Sequence, residues 1–417
     1  MPNHLSPGVY VQEHPDTGAN TIVRKSTNVA GFVGVAPNPD ARPDEAVAVE
    51  NWTHFVGVFV GESDHGTHLA NAVFGFFSNG GDRCYVVNIG SGSAITGTAR
   101  KQTGLDLFDA IDDISIVAAP GFADATAYAA LQAHCEAPLR QDRMAILDTP
   151  EHVSDISALT RTATSGMPMQ APDGNPEDGE TVEGGATRRA PAEASSSDAC
   201  GAPQSSYLAV YYPWIVVNDA VTGERVTQPP SGHVAGVWAR VDTQRGVHKA
   251  PANEAVLGAL DLVHHVSTGE QDVLNPSGVN CIRYFPANGI RMWGARTRAA
   301  DEFRYINVRR LTNMIKESIE DGTRWVVVEP YDAGLWRSMG RDIRAFLTSI
   351  WRDGALVGST PEEAFFVKCD QETNPPDVRD AGQVVALVGI ATIKPAEFII
   401  FTVKQSTGTG EPENPRA

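Results

Sequence analysis

Four arginines, Arg337, Arg341, Arg344 and Arg352, have the type and spacing that point most directly to a chemistry, the recognition of acidic groups. On a helix turning about 100° per residue they fall within about 80° of one another. Trp336, Met339, Ile343, Phe346, Leu347 and Ile350 take the far side. One face is then able to pack into the protein while the other presents guanidinium groups, in a chain whose formal net charge is −18. The competing reading is a solvated face that pairs with Asp or Glu of its own subunit. Exposed ion pairs contribute only about 0–1 kcal/mol each, so a useful grip would come from repetition of the stripe in many copies.

Other chemistries are weaker. Gly90–Gly97 (GSGSAITG) follows a strand-like run but lacks the GK[ST] of a phosphate loop and reads as a surface loop. Asp106, Asp109, Asp112 and Asp113 lack the alternating ligand spacing and glycine of a calcium loop and read as a solvated helix face. His134 and the pair His264-His265 have no convincing third ligand, so no metal site and no cofactor are expected. Cys84, Cys135, Cys200, Cys281 and Cys369 are odd in number, scattered and free of any CxxC, which argues for reduced thiols. The strong negative charge excludes a broad cationic nucleic-acid surface, and no apolar run approaches membrane-spanning length. No secretory leader is read at the N-terminus, so a cytoplasmic place of assembly is expected.

The elements that would position these residues read as a mixed α/β and α+β chain, soluble and globular, of two or three domains. Residues 28–35, 84–89, 113–118 and 144–147 are strands, and 63–79 and 123–137 are helices, an alternation that suggests a sheet built from crossovers. Residues 207–217 (YLAVYYPWIVV) read as one strand long enough to cross a sheet, 307–321 as an amphipathic helix, 325–328 as a strand after it, and 335–356 as the arginine-bearing helix. Residues 360–370 give a capped helical turn and strand, and 389–403 a strand-like chain end. Residues 162–206 are rich in Gly, Pro, Ser, Ala and acids with few aliphatics, and are expected to form a mobile surface insertion. Ser6, Pro7, Gly8, Val9, Tyr10 and Val11 form a short extended arm at one end, matched by Phe398, Ile399, Ile400, Phe401 and Val403 at the other. Unpaired strands at chain ends suit strand addition to another molecule.

Two resemblances enter here. His65-Gly66-Thr67-His68 is similar to the HGTH around the catalytic histidine of subtilisin-like proteases, with Asp16-Thr17-Gly18 upstream where that family keeps its aspartate. A triad also needs a fixed nucleophile. No GTSMA-like segment follows, and Ser165 lies in the 162–206 insertion. The reading preferred for HGTH is a cap on the helix that continues into LANAVFGFF.

The second resemblance covers nearly the whole chain. SPGVYVQE from Ser6, YYPWI from Tyr211, PPSGHVAGVWAR from Pro229, RGVHKAPAN from Arg245, GIRMWGARTR from Gly289, EEAFFVKCD from Glu362 and KPAEFIIF from Lys394 resemble, in the same order, the contractile tail sheath proteins of bacteriophages, R-type pyocins and phage-tail-like extracellular injection systems. The resemblance implies a non-enzymatic structural subunit that stacks as hexameric rings around an inner tube and contracts to drive that tube through a target envelope. The implied partners are further copies of itself, the inner tube protein, and baseplate and tail-terminator or cap proteins, in a particle that is assembled in the cytoplasm and can be released. It implies a conserved inner domain, drawn at 271–400, an outer α/β domain at 21–270, an N-terminal arm at 1–20 and a C-terminal arm and tail at 401–417, with the basic stripe facing the tube. A subtilisin-like protease and a static tube or shell protein remain as alternatives.

Overall fold

The computed structural model describes residues 21–92, 94–98, 101–138, 141–161, 201–327, 329 and 331–397. The chain begins with strands β1 (Ala30–Gly34) and β2 (Ala46–Val49), helix α1 (Trp52–Phe55), a π-turn over Val56–Val60, helix α2 (His68–Ser78) and strand β3 (Cys84–Asn88). A small hairpin, β4 (Thr96–Thr98) and β5 (Lys101–Gly104), precedes a 3-10 turn over Leu105–Ala110, then β6 (Ile116–Ala118), α3 (Ala125–Glu136) and β7 (Met144–Asp148). After residue 200 come β8 (Leu208–Tyr212), β9 (Ile215–Asn218), β10 (Arg225–Gln228), α4 (Ser231–Arg245), β11 (Glu254–Ala255), β12 (Asp261–Leu262), α5 (Thr268–Leu274), β13 (Val279–Phe285) and β14 (Gly289–Met292). The last part holds α6 (Ile306–Gly322), α7 (Ala333–Arg352), α8 (Pro361–Ala364), β15 (Phe365–Lys368), α9 (Pro376–Asp380) and β16 (Leu387–Ile390).

One nine-stranded sheet dominates, in the order β11-β14-β13-β8-β7-β6-β1-β3-β2. Its middle, β13-β8-β7-β6-β1-β3, is parallel throughout, and antiparallel strands close both edges. Strands buried on both faces need no polar alternation, which is why AGFVG, MAILD and LAVYY are apolar nearly without a break. Successive residues still diverge to opposite faces. Phe32, Val86, Ile116 and Ile146 pack with α2 and α4, whereas Val33, Val87, Val117 and Leu147 pack with α3. Helices α2 and α4 touch backbone to backbone: a Cβ on Gly232 would lie 2.3 Å from the Ala72 Cα.

Five features of the fold depart from what the sequence predicts. Residues 207–217 are two strands in different sheets, because Pro213, joined to Tyr212 by a cis bond, supplies no ladder donor between them. Residues 324–326 form a 3-10 turn after α6 rather than a strand, with Val326 N donating to the Thr323 carbonyl at 3.0 Å. The sheet also runs on past residue 270, since β13 pairs with β8. The stretch read as an insertion ends in packed chain: Ala202 and Ser205 are buried. Finally, the strand expected from residue 389 ends at Ile390, and Phe398 onward lies outside the described residues.

A separate core forms from α6, α7, α8 and β15: Leu311, Met314 and Ile315 meet Ile343, Phe346, Leu347 and Ile350, closed by Ala364, Phe365 and Val367. Its two-stranded sheet, β15 against β16, leaves Phe366 and Leu387 half exposed.

Candidate assembly surface

The HGTH motif caps a helix. Thr67 is the extended residue before α2, and its Oγ1 accepts from Ala70 N at 3.2 Å. His65 Nδ1 lies 3.2 Å from Ser63 Oγ and 3.5 Å from Asp64 Oδ1, so both contacts fall on one ring nitrogen, where a triad needs them on opposite ones. Ser63 Oγ also donates to the Pro37 carbonyl at 3.0 Å. His68 Nδ1 faces Gln228 Oε1 at 3.2 Å, and its ring meets Trp214 edge-on. Asp16 and Ser165 lie outside the described residues. Beside the motif, at the C-terminal ends of the strands, Asp148 receives Ser231 N at 2.9 Å and Ser231 Oγ at 2.6 Å. Burial pushes Asp148 up to about 6 against these donors. Its work is to hold the start of α4.

The other sequence candidates resolve into pairs. Asp106 accepts from Gly97 N at 2.9 Å, Asp113 pairs with Arg83 at 2.7 Å, and Asp109 lies 3.6 Å from His134. His264 meets Glu270 and His265 meets Asp261, at 3.0 and 3.3 Å. Among the described residues no group of three or more His, Cys, Asp or Glu could hold a metal ion. Among them, too, no helix is long and apolar enough to cross a membrane.

Helix α7 begins where Asp332 accepts from Leu335 N at 2.8 Å, and ends before Gly354, whose φ of +74° suits glycine. Leu335, Ile343, Phe346, Leu347 and Ile350 are buried, and Arg337, Arg341, Arg344 and Arg352 are all exposed on the other side. Two of the four are engaged within the subunit. Arg341 Nε lies 3.2 Å from Asp342 Oδ1, and Arg344 Nη2 donates to the Val367 carbonyl at 3.0 Å, at the side of β15 away from β16. Arg337 and Arg352 have no such partner among the described residues. Trp336 Nε1 and Asp342 Oδ2 of this helix are buried polar atoms without a hydrogen-bond partner among the described residues, as is Trp325 Nε1 of the 3-10 turn after α6.

The C-terminal helices are tied to the sheet by contacts that periodicity does not reveal. Arg310 of α6 is buried, with Nη1 2.9 Å from Asp242 Oδ1 of α4 and its guanidinium over the Trp238 ring. Thr27 completes the latch: its Oγ1 donates to Asp242 at 2.6 Å and its carbonyl accepts from Arg310 at 2.6 Å. From there residues 22–27 run back along α6 as a strap. Lys25 N donates to Ser318 Oγ at 3.0 Å, Lys25 Nζ lies 3.6 Å from Asp321, Arg24 pairs with Asp353, and Ile22 packs over Gly322. At the other end, Glu397 is held by Arg296. The expected arm residues Ser6, Pro7, Gly8, Val9, Tyr10, Val11, Phe398, Ile399, Ile400, Phe401 and Val403 lie outside the described residues.

Comparison with known proteins accounts for this arrangement. Residues 97–298 match the family described as phage tail sheath protein central domain, and 299–406 the phage tail sheath C-terminal domain. The sheath complex of the extracellular contractile injection system PVC, solved in its contracted state, is 27% identical with a TM-score of 0.74, covering 98% of this chain and 99% of that one. The contracted helical sheath of the anti-feeding prophage is 27% identical with a TM-score of 0.70, covering 97% and 100%. The tail sheath protein of Burkholderia phage BcepMu is 27% identical over 47% of this chain and 42% of its own length, so the chain matches less than half of that relative. Matched over nearly its whole length by solved sheath subunits, and over residues 97–406 by the two tail sheath domains, the chain belongs to the contractile tail sheath family.

Proposed function

We propose that this chain is a non-enzymatic structural subunit of a contractile sheath. Copies stack as hexameric rings around an inner tube, between a baseplate and a terminator or cap, and shorten to drive the tube through a target envelope. The particle assembles in the cytoplasm and is phage-tail-like. The observation that carries this reading is the near end-to-end likeness to a sheath complex in its contracted state.

In this reading the module from α6 to residue 397 forms the inner layer, the large sheet lies outside it, and the arms at 1–20 and from Phe398 on reach neighbouring copies. Arg337 and Arg352 face acidic groups of the tube, with Arg341 and Arg344 shared between that contact and their own subunit. Weak exposed pairs suit a grip that must let go, and a ring multiplies them.

The test is negative-stain microscopy of the protein expressed with its tube and baseplate genes. Two sheath lengths, long around a tube and short after triggering, are expected; a single length under all conditions would mean a static tube. The variant carrying Arg337→Glu, Arg341→Glu and Arg352→Glu should give naked tubes and short sheaths. The defect should ease as salt rises and the Debye length falls below about 10 Å.

A further inference from the structure

Beside the last described residue lies a groove of about 550 Å³, walled by Ala252, by Gln271 and Asp272 of α5, by Arg283 and Trp293, and by Glu397 itself. Glu397 is fixed there. Its Oε1 accepts from Arg296 Nε at 2.8 Å and its Oε2 from Arg296 Nη2, and the Asn275 carbonyl holds Arg296 Nη1 at 3.1 Å. The two paired side chains are only 9% and 16% exposed, which makes this an anchor rather than a surface contact. The next four residues, Phe398-Ile399-Ile400-Phe401, are apolar without a break.

We propose that this groove is the intramolecular seat of Phe398–Phe401, so that the free subunit covers its own C-terminal apolar run. The volume falls within the range of about 300–1,000 Å³ typical of pockets that bury apolar ligands. Trp293, its ring 4.6 Å from that of Phe285, is 37% exposed at the wall, an apolar face that an aliphatic side chain would cover. Arg283 donates from Nη1 to Gln271 Oε1 at 2.8 Å, but its buried Nε has no acceptor. A main chain laid into the groove brings carbonyls that can fill that need.

The choice of this run over one from a second copy rests on the tether. Because Glu397 is part of the wall, the run starts at the groove, and a short flexible connection gives an effective concentration on the order of millimolar or more. A second copy at micromolar concentration competes poorly. Under the proposed sheath function, a neighbour must first draw the run out of its seat, which would slow nucleation; the seat itself does not depend on that reading.

Disulfide trapping in the full chain tests it. Cys200 and Cys369 are changed to serine, while Cys84, Cys135 and Cys281 stay as buried, unreactive thiols. Ala252→Cys is then combined with Ile399→Cys, or with Thr407→Cys as a control that shares the tether. Mild oxidation should give an intramolecular 252–399 link, read by peptide mass, at a rate independent of protein concentration. That rate should be at least about tenfold that of the 252–407 pair. A crosslinked dimer whose yield rises with concentration would overturn the proposal in favour of a second copy. Equal rates for the two pairs, or no link in either, would overturn it as well. Asp272→Cys with Phe398→Cys repeats the test from the opposite wall should the first pair disturb folding. Microscopy of sheaths reads the functional proposal separately, so the two can fail independently.

Discussion

The large sheet and the C-terminal module treat their surfaces differently. The sheet is covered on both faces, its parallel strands are fenced by antiparallel edges, and Asp148 and Asn88 in it are bonded several times over, while Thr149 Oγ1, His233 Nδ1 and Arg283 Nε have no partner among the described residues. The C-terminal module has a two-stranded sheet, half-exposed Val357, Phe366 and Leu387, and five buried polar atoms, one each on Asn307, Arg309, Trp325, Trp336 and Asp342, with no partner among the described residues. Buried polar groups are as a rule satisfied. Both regions depart from that rule, so the difference between them is one of cover: the large sheet is packed on both faces, whereas the small sheet of the module leaves Phe366 and Leu387 half exposed. Arg310 and Asp242 join the two.

Breaking that joint should have the largest effect. Asp242→Ala leaves the buried Arg310 guanidinium without its carboxylate and is expected to cost about 3–5 kcal/mol in denaturant unfolding. If the two regions are coupled only here, a second, separate transition should appear.

The next effect is confined to the scaffold. His233 of α4 is fully buried against Gly75, and burial lowers its pKa from 6.5 to about 4. The unfolded chain therefore takes up the proton first. The stability that neutral His233 contributes is intact above pH 6.5 and is lost as pH falls from there towards 4, roughly 3 kcal/mol in all. Asp148 works in the opposite sense: raised to about 6, it favours the folded state at low pH and loses that contribution as pH rises through 6. His233→Gln should remove the acid-side loss, measured as the pH dependence of the urea midpoint; an unchanged profile would mean that the ring is not the titrating group.

A smaller effect on stability is expected in the open module. Phe366→Ser should change unfolding of the free subunit by less than about 1 kcal/mol, since the ring is half exposed, yet reduce polymerisation. A loss as large as that of a core phenylalanine would show that the module is closed in the monomer. The smallest effect is predicted for replacing residues 162–200 by a short Gly-Ser linker. Arg298 Nη2 donates to the Ala202 carbonyl at 2.8 Å and to that of Arg161 at 3.4 Å, so both ends of the segment are held together whatever its length. Closure entropy changes slowly with loop length, and thermal unfolding should move by no more than about 0.5 kcal/mol.

The two regions also differed in how far their sequences could be read. Where apolar residues recur on one side of an element or turn residues flank it, as in β3, α6 and α7, the pattern locates it. Helix α4 leaves no such pattern, because SGHVAGVWA is buried on nearly every side and so shows no apolar stripe. Its glycines, which look like breakers, permit the close approach to α2. The arginine stripe was legible as a helix face, but its partners were not. Arg344 is met by a backbone carbonyl of β15, and Arg310 by an acid 68 positions away, and neither spacing leaves a periodic trace.

The strap along α6 has a mechanical consequence. Residues 22–27 run opposite to the helix, from the latch at Arg310 near its start to Gly322 at its end. A force that draws the chain end onward along the helix axis therefore pulls on the Thr27, Lys25, Arg24 and Ile22 attachments in shear, all at once. A force directed away from the helix would peel them singly, beginning with Ile22 and Arg24. The same few bonds thus resist lengthwise load and yield to sideways load, which gives the subunit a built-in sense of direction.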